Sequence, residues 1–502
     1  MKRVALAIAL MMGVALLFSA SAQKSKEHKI IANETIADKA NQHLVIHGLP
    51  YGDAQTAADV YVLYSSGNSA QKIYNPLLVV EGFFPNSLTK IGFENPIRTE
   101  VLNSIRFAFP EMDLIYVAWR DAEAPIEANS ETLKLVLMWL NEEMSNNQSD
   151  QRITMIGHSM GGLIGRWTLT QMEKKEIPHG VERYISFDSP HLGANFPLGL
   201  AFGIEGASEL ASKKRQFVKY LPSAEVFFLN QMKGVLHAPS VEQMKLSNVL
   251  DEGTIDNSRH EEWLRKLHEA GLPRGDEGFS MQCLAISNSD KKTHSALKAP
   301  YIDAEFEGKS DIVGLFGGFW DFSTAISSGV LLNDPKAALL GVIPGHSKIK
   351  GRLYCAPGSE EGDLVTKIEV TLEKRLFYFI PVHYTVYSYE RKVPKGVESF
   401  DYYPASFWPL GGVESARSEN VPIFRSFKYK LSSTSGMPFI PTNSALAIEP
   451  SETNVGEMVS LFGENIYLES EPTNHNVFSG EALQWIREKM KLDVDEVPSD
   501  AA

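Results

Sequence analysis

The stretch RITMIGHSMGGLIGR, residues 152–166, decides how this chain is read. Arg152 to Ile156 form a short β-type run, and Leu163, Trp167 and Thr170 follow at helical spacing. Between them Ser159 stands two residues from Gly157 and two from Gly161. The pattern predicts a strand, a one-residue turn and a helix. A turn that sharp crowds its neighbours, so only small side chains fit beside its tip. It lifts the serine hydroxyl clear of the backbone and sets it at a helix N-terminus, where free N–H groups favour developing negative charge. A nucleophile of acyl transfer needs that environment. A bare G-x-S-x-G arises often by chance, and the alternative is a glycine-rich turn with no chemistry; the flanking strand and helix favour the nucleophile.

Outward from this turn, strands and helices alternate. Leu77 to Val80 and Asp113 to Ala118 read as buried strands, and Pro96 to Phe107 as a helix. Asn129 or Ser130 is a candidate N-cap for a helix through Leu133, Val136, Leu137 and Leu140. Val181 to Phe187 reads as a further strand. Such alternation predicts an α/β fold with a mostly parallel sheet and helices on both faces. The pattern then changes. Residues 23–196 form the first part of this core, and 197–280 a helical insertion that could act as a lid. Residues 281–290 return to a core strand, and 291–430 are a β-rich insertion centred on hairpins in Lys367–Arg391. The core resumes over 431–492 with a terminal helix through Leu483, Trp485, Ile486 and Met490, and an acidic tail occupies 493–502.

Residues 1–22 have the composition of an export signal: Lys2 and Arg3, then apolar Val4 to Phe18, then Ala20-Ser21-Ala22. The expectation is a secreted or periplasmic protein. The apolar run is short for a membrane span and no second one is longer, so stable membrane insertion is not expected. The formal net charge is −14 over 502 residues, which argues against nucleic acid as a partner. The two cysteines, Cys283 and Cys355, could be joined by a disulfide after export. No C-x-x-C or H-E-x-x-H spacing points to a metal, and no cofactor is implied.

Four segments, VVEGFFP (79–85), GHSMGGLIGR (157–166), SFDSPHLGAN (186–195) and NHNVFSGEALQWI (474–486), together resemble an α/β-hydrolase of the lipase and esterase type. They fall in the order of that family with two large insertions between them. The resemblance implies a secreted serine hydrolase that cleaves carboxylic esters of small molecules or lipids through an acyl-enzyme on Ser159, without metal or cofactor. It implies oxyanion donors in the backbone N–H groups of Met160 and Phe83. The family's usual His-Gly after the first of these strands is Glu81-Gly82 here.

A serine needs an imidazole to take its proton. His475, between a strand ending near Leu468 and the terminal helix, fits the family's position for the catalytic base. His383, inside an alternating strand run, reads as structural. His346 and His294 lie in insertion sequence, and His158 and His191 flank the site. The acid is Asp188, at the end of the strand leading into SPHLG, or Asp290, after the next strand. Phe84 and Phe196 are candidates for a substrate-binding wall, though aromatic residues there can equally be core. An acyltransferase using the same site, or an exported binding protein that kept the fold and lost the chemistry, are the alternatives. The sequence does not give the oligomeric state.

Overall fold

The computed structural model describes residues 40–85, 96–213, 232–250, 254–289, 299–310, 336, 345–376, 379–410, 414–421, 424–450, 458–468 and 474–492. The segment 1–22, the acidic tail, Asp290 and His294 lie outside these residues.

The first half alternates as its patterning predicts: β1 (Gln42–His47), β2 (Ala57–Leu63), β3 (Pro76–Val80), α1 (Pro96–Ala108), β4 (Asp113–Trp119), α2 (Ile126–Asn146), β5 (Ile153–His158), α3 (Met160–Lys174) and β6 (Val181–Phe187). β3, β4 and β5 are buried at every position, which is why they read as unbroken apolar runs. One boundary differs from expectation. The α2 helix starts at Ile126 behind Pro125, a full turn before Asn129 and Ser130. Those two side chains work inside the helix instead. Asn129 donates to the Asp121 carbonyl (3.0 Å), and Ser130 accepts from Thr168 of α3 (2.9 Å).

The helical insertion supplies α4 (Leu198–Lys213), α5 (Pro239–Met244) and α6 (Ser258–Ala270) before the chain returns as β7 (Gln282–Ser287). The second insertion is built of β8 (Ile302–Ser310), β9 (Gly345–Cys355), β10 (Leu364–Leu376), β11 (Ile380–Lys392), β12 (Ala405–Pro409), β13 (Glu414–Val421) and β14 (Phe424–Ser433). Its last strand passes residue 430, and β15 (Gly436–Pro441), expected in the core, pairs with β12. Then come α7 (Thr442–Ala445), β16 (Ile448–Pro450), β17 (Met458–Ser460), β18 (Glu464–Tyr467) and α8 (Gly480–Met490).

The core sheet runs β1-β2-β4-β3-β5-β6-β7-β18. β2 is antiparallel to both its neighbours and every other pairing is parallel. This is the strand order of an α/β-hydrolase. Leu133, Val136, Leu163 and Ile164 of α2 and α3 cover one face. Val101 and Ile105 of α1, with Leu483 and Ile486 of α8, cover the other. With both faces buried, only the carboxyl ends of the parallel strands are left to present chemistry.

The six-stranded sheet runs β11-β10-β9-β8-β14-β13, all antiparallel. One face packs Leu353, Ile368, Val370 and Leu372 against Ala201, Phe202 and Ile204 of α4. Cys283 and Cys355 are separate free thiols. Cys283 belongs to core strand β7, whereas Cys355 ends β9 beneath α4, next to Gly203. The disulfide considered from sequence is therefore corrected.

Candidate active site

Ser159 sits between β5 and α3 with φ 54° and ψ −125°, a conformation an L-residue adopts at a cost of about 1–3 kcal/mol. Three glycines make room for it. A Cβ on Gly161 would stand 2.3 Å from the Val80 carbonyl oxygen, one on Gly157 would strike Gly162 Cα at 2.5 Å, and one on Gly82 would lie 2.9 Å from Ser159 Cβ. The Ser159 N–H donates to the Phe187 carbonyl (2.9 Å), pinning the turn to the next strand. Met160 is the first residue of α3, so its N–H is one of the helix's unpaired donors.

His475 Nδ1 and Asp188 Oδ2 are 2.6 Å apart, and both side chains are all but closed to solvent. Asp188 lies just past β6. Its other oxygen, Oδ1, accepts from the Asn288 N–H (3.0 Å), and its own N–H donates to the Ile286 carbonyl (2.8 Å). With Nδ1 bound to the carboxylate, Nε2 is the nitrogen of His475 left for a reaction partner. The loop bearing it is tied from several sides. Asn288 Nδ2 donates to the carbonyls of Val477 (2.9 Å), Asn474 (3.2 Å) and His475 (3.3 Å). The His475 N–H donates to the carbonyl of Phe407 in β12 (2.8 Å). His158 Nε2 donates to the His475 carbonyl at 3.1 Å. Burial, then the nearby His475 ring, lower the pKa of His158 to about 3, so it is neutral and structural.

Ser159 and His475 border one small cavity with Gly82, Phe83, Tyr116, His158, Trp408 and Asn476. Its free volume is about 20 Å³, room for a single water. The Phe439 ring meets the His475 ring edge-on, centroids 4.8 Å apart.

Glu81 accounts for the departure from His-Gly. Its carboxylate takes a two-pronged ion pair from Arg98 of α1 (3.1 and 3.0 Å) and accepts the Trp119 N–H (3.2 Å). Its backbone carbonyl accepts the Trp119 indole N–H (2.8 Å). The turn carrying Gly82 and Phe83 is thus anchored by charge and by β4.

The structure brings together Ser159, His475, Asp188, Met160 and Phe83. Phe84 and Phe196 are partly buried against the cluster shared by α4 and the six-stranded sheet, as are Phe83 and Trp408; of these four, Phe83 and Trp408 line the cavity. His383 is an exposed residue of β11, and His346 belongs to β9. His191 is buried, within 2.7 Å of Ser186 Oγ, and burial followed by the Arg166 charge lower its pKa well below the usual range. Sequence reasoning missed Asn288, Arg98, Phe407, Trp408 and Phe439. Among the described residues no helix is long and apolar enough to cross a membrane.

Residues 118–221 match the family described as "Putative serine esterase (DUF676)". No curated protein matches the chain. Among solved structures it is similar to Est1E from Butyrivibrio proteoclasticus (14% identity, 29% of this chain and 51% of that one, TM-score 0.20). It is also similar to a lipase/esterase from Lactobacillus plantarum (13%, 30% and 60%, TM-score 0.23) and to the Pyrobaculum calidifontis esterase (12%, 57% and 74%, TM-score 0.27). The chain spans about half of the first and three-fifths of the second, and likenesses this low carry no argument here. The strand order is that of an α/β-hydrolase fold, and the segment 118–221 within it resembles a family of putative serine esterases.

Proposed function

We propose that the protein is an exported serine esterase that hydrolyses carboxylic esters of small molecules or lipids. The observation that carries this reading is the buried His475–Asp188 pair, whose imidazole borders the same cavity as strained Ser159.

The Ser159 hydroxyl attacks the ester carbonyl while His475 Nε2 takes its proton. Asp188 holds the imidazole in the tautomer with Nδ1–H and stabilises the imidazolium that forms. The carbonyl oxygen gains negative charge where the Met160 and Phe83 N–H groups receive it. As the tetrahedral intermediate collapses, the C–O bond breaks and His475 returns the proton to the departing alcohol. Water, deprotonated by the same imidazole, then attacks the acyl-enzyme and releases the acid. Every atom is supplied by substrate, water and these side chains. Export is inferred from Lys2, Arg3, the apolar run Val4–Phe18 and Ala20-Ser21-Ala22.

The test is turnover of a soluble p-nitrophenyl ester by the wild type and Ser159→Ala, with thermal melting as the control for folding. Loss of turnover at an unchanged melting temperature supports the reading. Equal turnover by the two proteins removes it.

A further inference from the structure

We propose that the free end of the six-stranded sheet docks on an anionic lipid bilayer. The β10–β11 hairpin has strands of 13 residues each, a reach of roughly 43 Å. Its base lies against the core, where Thr366 donates to the Gly199 carbonyl (2.7 Å). Its apolar face is covered there, with Ile368, Val370 and Leu372 buried. Toward the turn that cover ends while the apolar pattern continues. Val386 is buried, Val382 half-buried and Ile380 exposed. Phe379, which closes the turn onto the Leu376 carbonyl (3.2 Å), is 74% exposed, the most of any large hydrophobic among the described residues. The sequence from Leu376 to Val382, LFYFIPV, contains no charge. Leaving Phe379 and Ile380 in water forgoes the stabilisation their burial would give, and adjacent exposed apolar side chains at a hairpin end suit an interaction site.

Charge selects the partner. The open face of the sheet behind the tip carries Lys309, Lys348, Lys350, Arg375 and Lys428 against Glu307 and Glu373, on strands that the register places side by side. Lys309 and Lys348 both pair with Glu307, Lys350 pairs with Glu373, and a surplus of positive charge is left. This basic face stands on a chain whose net charge is −14, so it is a local feature and not the general surface. An apolar tip beside a basic sheet face matches the boundary between acyl chains and anionic headgroups. Docking here is independent of ester chemistry, so it stands or falls apart from the role of Ser159.

The test is co-sedimentation with vesicles of phosphatidylcholine, alone or with about 30% phosphatidylglycerol, at about 0.1 M and about 1 M salt. The wild type should pellet with the anionic vesicles and be released by high salt. Phe379→Ser/Ile380→Ser should bind at least about tenfold more weakly, and Arg375→Glu/Lys348→Glu should lose affinity for anionic vesicles by more than about fivefold per charge. Turnover of a soluble ester should be unchanged in both. The proposal is overturned if the wild type stays in the supernatant or if the tip variant binds as tightly. It is overturned equally if sedimentation shows a wild-type dimer that the tip variant dissociates, since a second copy would then cover the tip.

Discussion

The two largest sheets among the described residues bury their side chains by opposite rules. In the core sheet β3, β4 and β5 are closed on both faces, and the candidate site lies at the rim where Ser159, Asp188 and His475 emerge. In the six-stranded sheet β10 alternates buried and open positions along most of its length. One face is core and the other a lattice of Lys, Arg, Glu and Asp. The first arrangement holds a few side chains in fixed geometry; the second offers area. The insertion reaches the site through β12, which pairs with β15 apart from the six-stranded sheet: the His475 N–H donates to the Phe407 carbonyl, and Trp408 walls the cavity. The insertion therefore borders the candidate site at β12 and stands apart from it at the hairpin tip.

The sharpest way to break this comparison is at the rim. Asp188→Asn should lower kcat for a soluble ester by about 10⁴-fold, because Nδ1 of His475 loses its charged acceptor and the tautomer is no longer fixed. An effect below about tenfold would show that another carboxylate does the work. Next is the loop clamp. Asn288→Ala removes three hydrogen bonds to the His475 loop and should lower kcat by about 10- to 100-fold with little change in KM. Glu81→Gln leaves the Arg98 guanidinium without its anion and should destabilise the fold by about 3 kcal/mol, read by urea denaturation.

A smaller effect sharpens the contrast by pH. His158 is held neutral with a pKa of about 3 against an ordinary 6.5, chiefly by burial, and His191 is lowered for the same reason. Both must take up a proton on unfolding in acid, so the unfolded chain binds more protons and stability rises with pH. The contribution is complete above pH 6.5 and lost as pH falls toward 3. At pH 5 His158 alone should cost about 2 kcal/mol relative to pH 8. A melting temperature that is flat between pH 8 and pH 5 would contradict this. The smallest effect concerns the thiols. Burial raises the pKa of Cys283 to about 12 and that of Cys355 further, so the native protein should resist a thiol reagent, and reductant should not shift its melting temperature.

The elbow was legible in the sequence because glycine spacing and strand–helix context are local signals. Asp188 and His475 were legible through chain order, since the strand ends that carry them converge in this fold. Glu81 could be seen as a departure, but its partner Arg98 lies on α1, and no local pattern announces a pair formed across two elements. Asn288, Phe407, Trp408 and Phe439 were hidden for the same reason: they reach the site only once the insertion folds back. Phe84 and Phe196 show the converse. An aromatic beside the Ser159 motif can serve a pocket and a neighbouring core alike, and Phe84 and Phe196 pack on the same cluster as the cavity-lining Phe83 and Trp408. The helix start at Ile126 was missed because polar Asn129 and Ser130 resemble caps until their partners, Asp121 and Thr168, are known.

The central claim is that Ser159 is a nucleophile activated by His475. Treating the wild type, Ser159→Ala and His475→Ala with a fluorophosphonate probe and locating the adduct by peptide mass spectrometry tests it most directly. The account predicts one adduct on the peptide containing Ser159 in the wild type, none in Ser159→Ala and labelling slowed by orders of magnitude in His475→Ala. An unlabelled wild type, or an adduct that forms at the same rate without His475, would contradict it.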